Sequence, residues 1–162
     1  MKGRIKAGEG TLIGNAGEYY VMGELLKRGI VAALAPRNAP AFDILATKDN
    51  VTIRIRVKTK TEDYSVWQYS VKKDGSILRN LSKNGDFTVL VNLADETKDL
   101  KFYIVPSYLI NKLLKEGFDK WLKTPGKYNR PHSPTNAKRN LSETEYSEVL
   151  NKYLSRWDVL WE

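Results

Sequence analysis

The sequence predicts an α/β fold, a small central mixed β-sheet of about five strands flanked by helices. Three observations predict it. A capped amphipathic segment stands near the N-terminus, at about 15–28. A series of β-rich segments follows between residues 30 and 105. Apolar-periodic helical segments close the chain after Ser107 and after Ser142. Helices on both sides of such a sheet bury its two faces. The length of 162 residues and a 41% hydrophobic content suit one domain with a real core, spanning 1–162.

The elements follow from local pattern. Residues 1–14 are basic and Gly-rich and read as an arm. Asn15 and Glu18 have the spacing of a capping box, and Tyr19, Met22, Leu25 and Leu26 recur at helical spacing. Lys27 and Arg28 before Gly29 mark the helix end. Segments 30–34 and 41–46 read as strands separated by a turn at 37–40, and Asp49-Asn50 is a tight hairpin turn. In 51–59, Val51, Ile53, Ile55 and Val57 alternate with Thr52, Arg54, Arg56 and Lys58, and Lys60 continues the polar series. Period two puts the cations on one face and the β-branched residues on the other. Residues 61–84 are mixed, with turns at Asp74-Gly75 and Asn84-Gly85. Strands are expected at 87–93 and 100–105, then a helix from Ser107 to Gly117. A basic, turn-rich loop fills 118–141, and a last helix, opened by Ser142 and Glu145 as a second capping box, runs over 142–157.

Composition narrows the chemistry. There is no cysteine, which excludes disulfides, thiolate metal sites and cysteine nucleophiles, and fits a reducing, cytoplasmic setting. His132 is the single histidine, so no site can use two imidazoles. No apolar run approaches the roughly 18 residues a membrane span needs. The N-terminal Met1-Lys2-Gly3-Arg4-Ile5-Lys6 has no apolar stretch after it and does not read as a signal peptide. With 27 basic and 19 acidic side chains the net charge is +8, which favours a polyanionic partner.

One constellation can carry chemistry. Asp43 lies between Phe42 and Ile44 in an apolar strand, where a carboxylate is costly unless paired or ligated. A strand pair can bring it near Lys58, with Glu18 on the helix packed over the same edge. Carboxylates hold a hard cation such as Mg²⁺ or Mn²⁺, and a lysine beside them stabilises developing charge. Plainer readings stand beside this one. Glu18 can serve as a capping residue alone, and Asp43 can form a buried ion pair with Lys58, Arg54 or Arg56.

Gly17-Glu18, Leu25 to Gly29, Phe42-Asp43-Ile44 and Arg56-Val57-Lys58-Thr59 together resemble the core of the PD-(D/E)XK nuclease superfamily, restriction-endonuclease-like and archaeal Holliday-junction-resolvase-like members above all. The resemblance covers roughly residues 15–60. It implies a restriction-endonuclease-like fold, catalytic roles for Glu18, Asp43 and Lys58, and a metal held by Asp43, Glu18 and the Val57 carbonyl. It also implies a DNA substrate and a homodimer, since duplex cleavage often uses two subunits. Arg56 stands where that family carries a carboxylate or amide, and a guanidinium cannot ligate a cation. Pro40 lies three residues before Asp43, away from the family's usual position. Glu62 shares the parity of Arg56 but lies roughly 20 Å along a straight strand.

The expected function is therefore a metal-dependent DNA endonuclease. Arg54, Arg56 and Lys60 would hold flanking phosphates, joined by Lys127, Arg130 and Arg139 of the basic loop, where cations interleave with Trp121, Tyr128 and His132. The alternatives are a nuclease fold that binds nucleic acid without cutting it, which Arg56 motivates, and a structural protein-interaction domain.

Overall fold

The computed structural model describes residues 9–37, 39, 41–94 and 98–162. Residues 1–8 of the expected arm, and Asn38 and Pro40 of the expected turn, lie outside them. The elements are α1 (Glu9–Lys27), β1 (Val31–Leu34), β2 (Ile44–Lys48), β3 (Val51–Thr61), β4 (Val66–Ser70), β5 (Asp86–Leu93), β6 (Lys101–Pro106), α2 (Ser107–Lys123), β7 (Lys138–Ser142) and α3 (Ser147–Leu150), with 3-10 turns between and after the last ones. Five strands form a mixed sheet in the order β1-β2-β3-β5-β6. The β3–β5 pair is parallel, the others are antiparallel, and β4 and β7 make a separate two-stranded sheet. The α/β class and the small flanked sheet are as the sequence predicts.

Two cores lie on the two faces of the large sheet. Ile53, Ile55, Val89, Val91 and Ile104 point toward Val21 and Leu25 of α1 and toward Trp157 and Leu160 near the C-terminus. Leu90, Tyr103 and Val105 point the other way, toward Ile110 and Leu114 of α2 and Trp67 and Leu141 of the small sheet. The period-two alternation of β3 thus sends its β-branched residues to the α1 side and its cations to the other, where Lys58 and Lys60 meet Tyr69 and Trp67 of the small sheet. Asp49 and Asn50, at φ 49° and 65°, make the left-handed turn that joins β2 to β3.

Helix α1 begins at Glu9 rather than Asn15, so Asn15 and Glu18 lie inside it and form no capping box. Gly10 and Gly14 stand in this helix despite a propensity penalty of about 1 kcal/mol each. Gly17, Val21 and Leu25 form a ridge spaced by one turn plus a fraction, which rests on the sheet. A Cβ on Gly17 would stand 1.8 Å from Thr59 Oγ1, so only glycine lets helix and strand come this close. Gly29, at φ 73°, ends the helix, with the Ile30 amide donating to the Leu25 carbonyl at 3.1 Å.

The second half departs further from expectation. Helix α2 runs through Gly117 to Lys123. Gly117 leaves room for Tyr146, whose hydroxyl would sit 2.7 Å from an added Cβ. Much of the expected 118–141 loop is therefore the end of α2 and strand β7. The expected 142–157 helix is absent as such. The Glu145 amide does donate to Ser142 Oγ at 3.1 Å, but only the short α3 and a 3-10 turn at Asn151–Tyr153 follow. The reason lies in the two cores. Leu150 belongs to the one beneath the small sheet and Trp157 to the one beneath α1. The segment must cross the sheet edge between them, which a straight helix cannot do. It crosses at β6, where Leu154 bridges Tyr103 and the Ser155 amide donates to the Phe102 carbonyl at 2.8 Å. Among the described residues no helix is long and apolar enough to cross a membrane.

Gly17→Ala is expected to cost about 1–3 kcal/mol through overpacking. Thr59→Ala, which removes Oγ1 and Cγ2 but leaves Cβ 2.9 Å from the added atom, should recover part of that loss in a double-mutant cycle read by urea denaturation. A purely additive pair would place the cost elsewhere.

Candidate functional site

The N-terminal end of β2 and the middle of β3 build the site. Ile44 pairs with Ile55, so Asp43, just ahead of β2, lies opposite Arg56 and on the same face as Lys58. Asp43 Oδ2 accepts from the Val57 amide at 2.7 Å, and the Asp43 amide donates to the Ile55 carbonyl at 2.9 Å. These two bonds fix the carboxylate against β3. Asp43 has no cation within ion-pair distance among the described residues, so the expected buried pair with Lys58, Arg54 or Arg56 does not form.

Two clefts meet at Asp43. One, of about 360 Å³, is lined by Asn15, Glu18, Tyr19, Arg37, Phe42 and Asp43. The other, of about 180 Å³, is lined by Asp43, Arg56, Lys58, Tyr69, Lys72 and Arg79. The close approach at Gly17 brings Glu18 to the first cleft. Burial pushes the Glu18 carboxyl up from the ordinary range, and the Asp43 charge adds to it. Burial likewise raises Asp43, more than the Val57 amide, Arg56 and Lys58 lower it. Burial and the neighbouring Lys72 push the Lys58 ammonium down, against the pull of Asp43. Lys58 Nζ sits 4.9 Å from the centre of the Tyr69 ring. The Tyr69 hydroxyl is buried without a hydrogen-bond partner among the described residues, and burial keeps it protonated.

The rest of the basic row is engaged inside the fold. Arg56 grips the fully covered carboxylate of Asp86 with two bonds, at 3.0 and 2.9 Å, and Arg54 reaches the same group at 3.3 Å. Lys60 pairs with Glu143 at 2.6 Å and lies over the Trp67 ring. Glu143 also accepts from the Tyr103 hydroxyl at 2.8 Å and the Asn92 amide at 3.0 Å. Glu62 stands at the far end of β3, paired with Lys98. Arg139 lies 3.3 Å over the Phe118 ring and donates to backbone carbonyls of Asn136 and Lys138. Lys127 and Arg130 have no acidic partner among the described residues.

Asp86 and Glu143 are the residues that sequence reasoning missed. A row of cations on one strand face signals that acids must balance it, but strand order, which sets β5 beside β3, decides which ones. Lys72 and Arg79, on the wall of the second cleft, were hidden in the mixed segment 61–84.

The donor set accepts a hard divalent cation on limited terms. Among the described residues no group of three or more His, Cys, Asp and Glu could hold a metal. Two neighbouring carboxylates with raised pKa values do gain from a cation, and Mg²⁺ is often held by one or two carboxylates with water completing its octahedron. Position 56 contributes no ligand, because its guanidinium is turned to Asp86.

No family model matches the sequence, nor does any curated protein. Solved structures do match. The Holliday junction resolvase Hjc of the archaeon Archaeoglobus fulgidus superposes with a TM-score of 0.52 and 16% identity, over 91% of this chain and 94% of that one. The bacterial homing endonuclease I-Ssp6803I superposes with a TM-score of 0.55 and 14% identity, over 93% of this chain and 91% of that one. The fold is that of these two structures, an α/β fold with restriction-endonuclease-like topology. At these identities the likeness is one of fold, and the side-chain geometry above belongs to this chain alone.

The two aspartates should act on stability in opposite senses. Burial works against the ionised Asp86, but Arg56 foremost, then Ser107 and the Ser82 amide, outweigh it and hold the carboxyl below its usual range. Its stabilising contribution is present above the ordinary aspartate pKa and lost as pH falls through the folded value. Asp86→Ala should cost ~3 kcal/mol at neutral pH, the lower end for breaking a buried pair, and flatten the acid limb of a pH–stability profile. Asp43, with a raised carboxyl, costs stability once ionised. Asp43→Asn should therefore raise Tm at neutral pH, with the gain shrinking as pH falls through the carboxylate range. Equal gains at pH 3 and pH 7 would contradict this assignment.

Proposed function

We propose that this chain binds DNA and hydrolyses phosphodiester bonds in a divalent-metal-dependent reaction centred on Asp43. The observation that carries the reading is convergence. Glu18 and Asp43 share one cleft, Asp43 and Lys58 share the next, and Lys58 has no acid in ion-pair contact among the described residues. The nuclease fold and the +8 charge support the same partner. Asp43, Glu18 and the Val57 carbonyl would hold Mg²⁺ or Mn²⁺. Such an ion supplies charge neutralisation at phosphate and acidification of water. Lys58 faces the same cleft and stabilises negative charge developing on the phosphate oxygens. Lys72 and Arg79 hold the backbone on either side, and Lys127 and Arg130 extend the contact. Arg54, Arg56 and Lys60 act mainly by fixing β3, since their charge is already balanced.

The second reading, binding without cleavage, is favoured by one observation. Arg56 is bound to Asp86 and leaves position 56 without a metal ligand.

Cleavage assays on linear, nicked and branched DNA with Mg²⁺ or Mn²⁺ test both. Hydrolysis is expected to fall roughly 100-fold or more in Asp43→Ala and in Lys58→Ala. Unchanged activity in Asp43→Ala would end the mechanism. Salt-dependent binding with no cleavage under either metal supports the second reading. Arg56→Gln alone would leave Asp86 short of its main partner, so the restoring variant is Arg56→Gln with Asp86→Asn. New cleavage in that double variant would assign the silence of the parent to position 56.

A further inference from the structure

We propose that the 124–137 loop carries a stacking site for an unpaired nucleobase, with Tyr128 as its platform and Lys127 and Arg130 as contacts to the adjoining phosphates. The proposal rests on the reading that DNA is the partner, and adds which form of it is favoured.

Three observations converge on this loop. Tyr128 is the most exposed large hydrophobic side chain among the described residues, at 86%. It has no ring contact, ion pair or hydrogen bond of its own there, so the fold makes no use of it. Its backbone is left-handed, at φ 57° and ψ 32°, and so is that of Asn129, at φ 58°. Asparagine tolerates that region, whereas for a bulky side chain it is an outlier that the surroundings must impose. Such strain concentrates at ligand contacts.

The surroundings do impose it. The Gly126 amide donates to the Arg130 carbonyl at 2.8 Å and the Asn129 amide to the Gly126 carbonyl at 3.1 Å, which closes the tip on itself. Behind the tip, His132 stacks on Trp121 at 3.9 Å, Trp121 on Phe118 at 5.5 Å, and the Arg139 guanidinium covers the far side of Phe118. This column ties the loop to α2 and β7. The aromatic residues that the sequence offers for base stacking are thus consumed as a brace, all except Tyr128. A rigid mount holding one bare ring outward loses little conformational freedom on binding.

The chemistry of the tip selects the partner. Lys127 and Arg130 stand one residue before and two after Tyr128, without acidic partners among the described residues, a combination of cation and π-face that suits a phosphate followed by a base. A base paired within a duplex presents no free face, so the ring favours a base already unstacked, at a flap, a gap or a branch. The position is also suitable. The Val71 amide donates to the Ala137 carbonyl and Ser70 pairs with Lys138, so the loop re-enters the fold one residue from Lys72 on the wall of the Asp43 cleft.

The test uses DNA bearing 2-aminopurine at an unpaired flap position, beside a fully paired duplex and a single-stranded RNA of the same sequence. Fluorescence reports stacking and anisotropy reports affinity. The wild type is expected to quench the flap 2-aminopurine. Tyr128→Ala should abolish the quenching and weaken flap binding roughly tenfold, leaving duplex affinity and Tm unchanged, while Tyr128→Phe keeps both signals. Equal losses on RNA also support the stacking site and widen its substrate to any unpaired strand. Tight duplex binding with identical flap quenching in Tyr128→Ala overturns this proposal and leaves the DNA-binding reading standing. No binding of any nucleic acid by the wild type overturns both.

Discussion

Covering the polar face of β3 with a second, two-stranded sheet imposes a charge balance that the rest of the molecule meets residue by residue. Lys58 and Lys60 point into that layer and Arg54 and Arg56 toward the 79–86 segment beside it, and cations withdrawn from water need partners. Asp86 on β5 takes the two arginines and Glu143 beyond β7 takes Lys60. Trp67 and Tyr69 of β4 lay their rings over the two lysines. Of the four, Lys58 alone has no acid in ion-pair contact among the described residues, and it borders the Asp43 cleft together with Arg56. Which cations the fold pairs is therefore sorted by strand order and not by residue type.

This sorting explains the arginine at position 56. In the family that the segment resembles, a carboxylate or amide stands at that place. Here the side chain looks toward β5, where Asp86 is fully covered and needs a cation as much as Arg56 needs an anion. The pair is an integral part of the sheet, so exchanging Arg56 alone disturbs folding and chemistry together. Asp43 and Glu18 show the opposite economy. Burial raises the carboxyl of each, and neither has a cation in ion-pair contact among the described residues. Sites that retain such unbalanced groups give up stability that function makes use of.

What was legible in the sequence follows local rules. The alternation of 51–59, the Asp49-Asn50 turn and the Gly29 helix end each depend on neighbours a few residues away, and each stands where the pattern puts it. Asp43 and Lys58 share a face because a short hairpin fixes their register. The failures are long-range. Helix α1 starts at Glu9, six residues before the Asn15 and Glu18 spacing that suggested its cap. Tyr146 through Trp157 reads as one apolar stripe because the sequence does not tell that Leu150 and Trp157 serve opposite faces. Asp86 was visible only as a residue beside a turn, and its importance appears once β5 lies parallel to β3.

The crossing of the C-terminal segment over β6 has a consequence for association. By bonding to Phe102 and bridging Tyr103 it occupies the outer margin of that strand. The opposite margin, β1, carries the exposed Val31 and Leu34 and, among the described residues, pairs only with β2. Margins so unequal let an added strand join at β1 more readily than at β6.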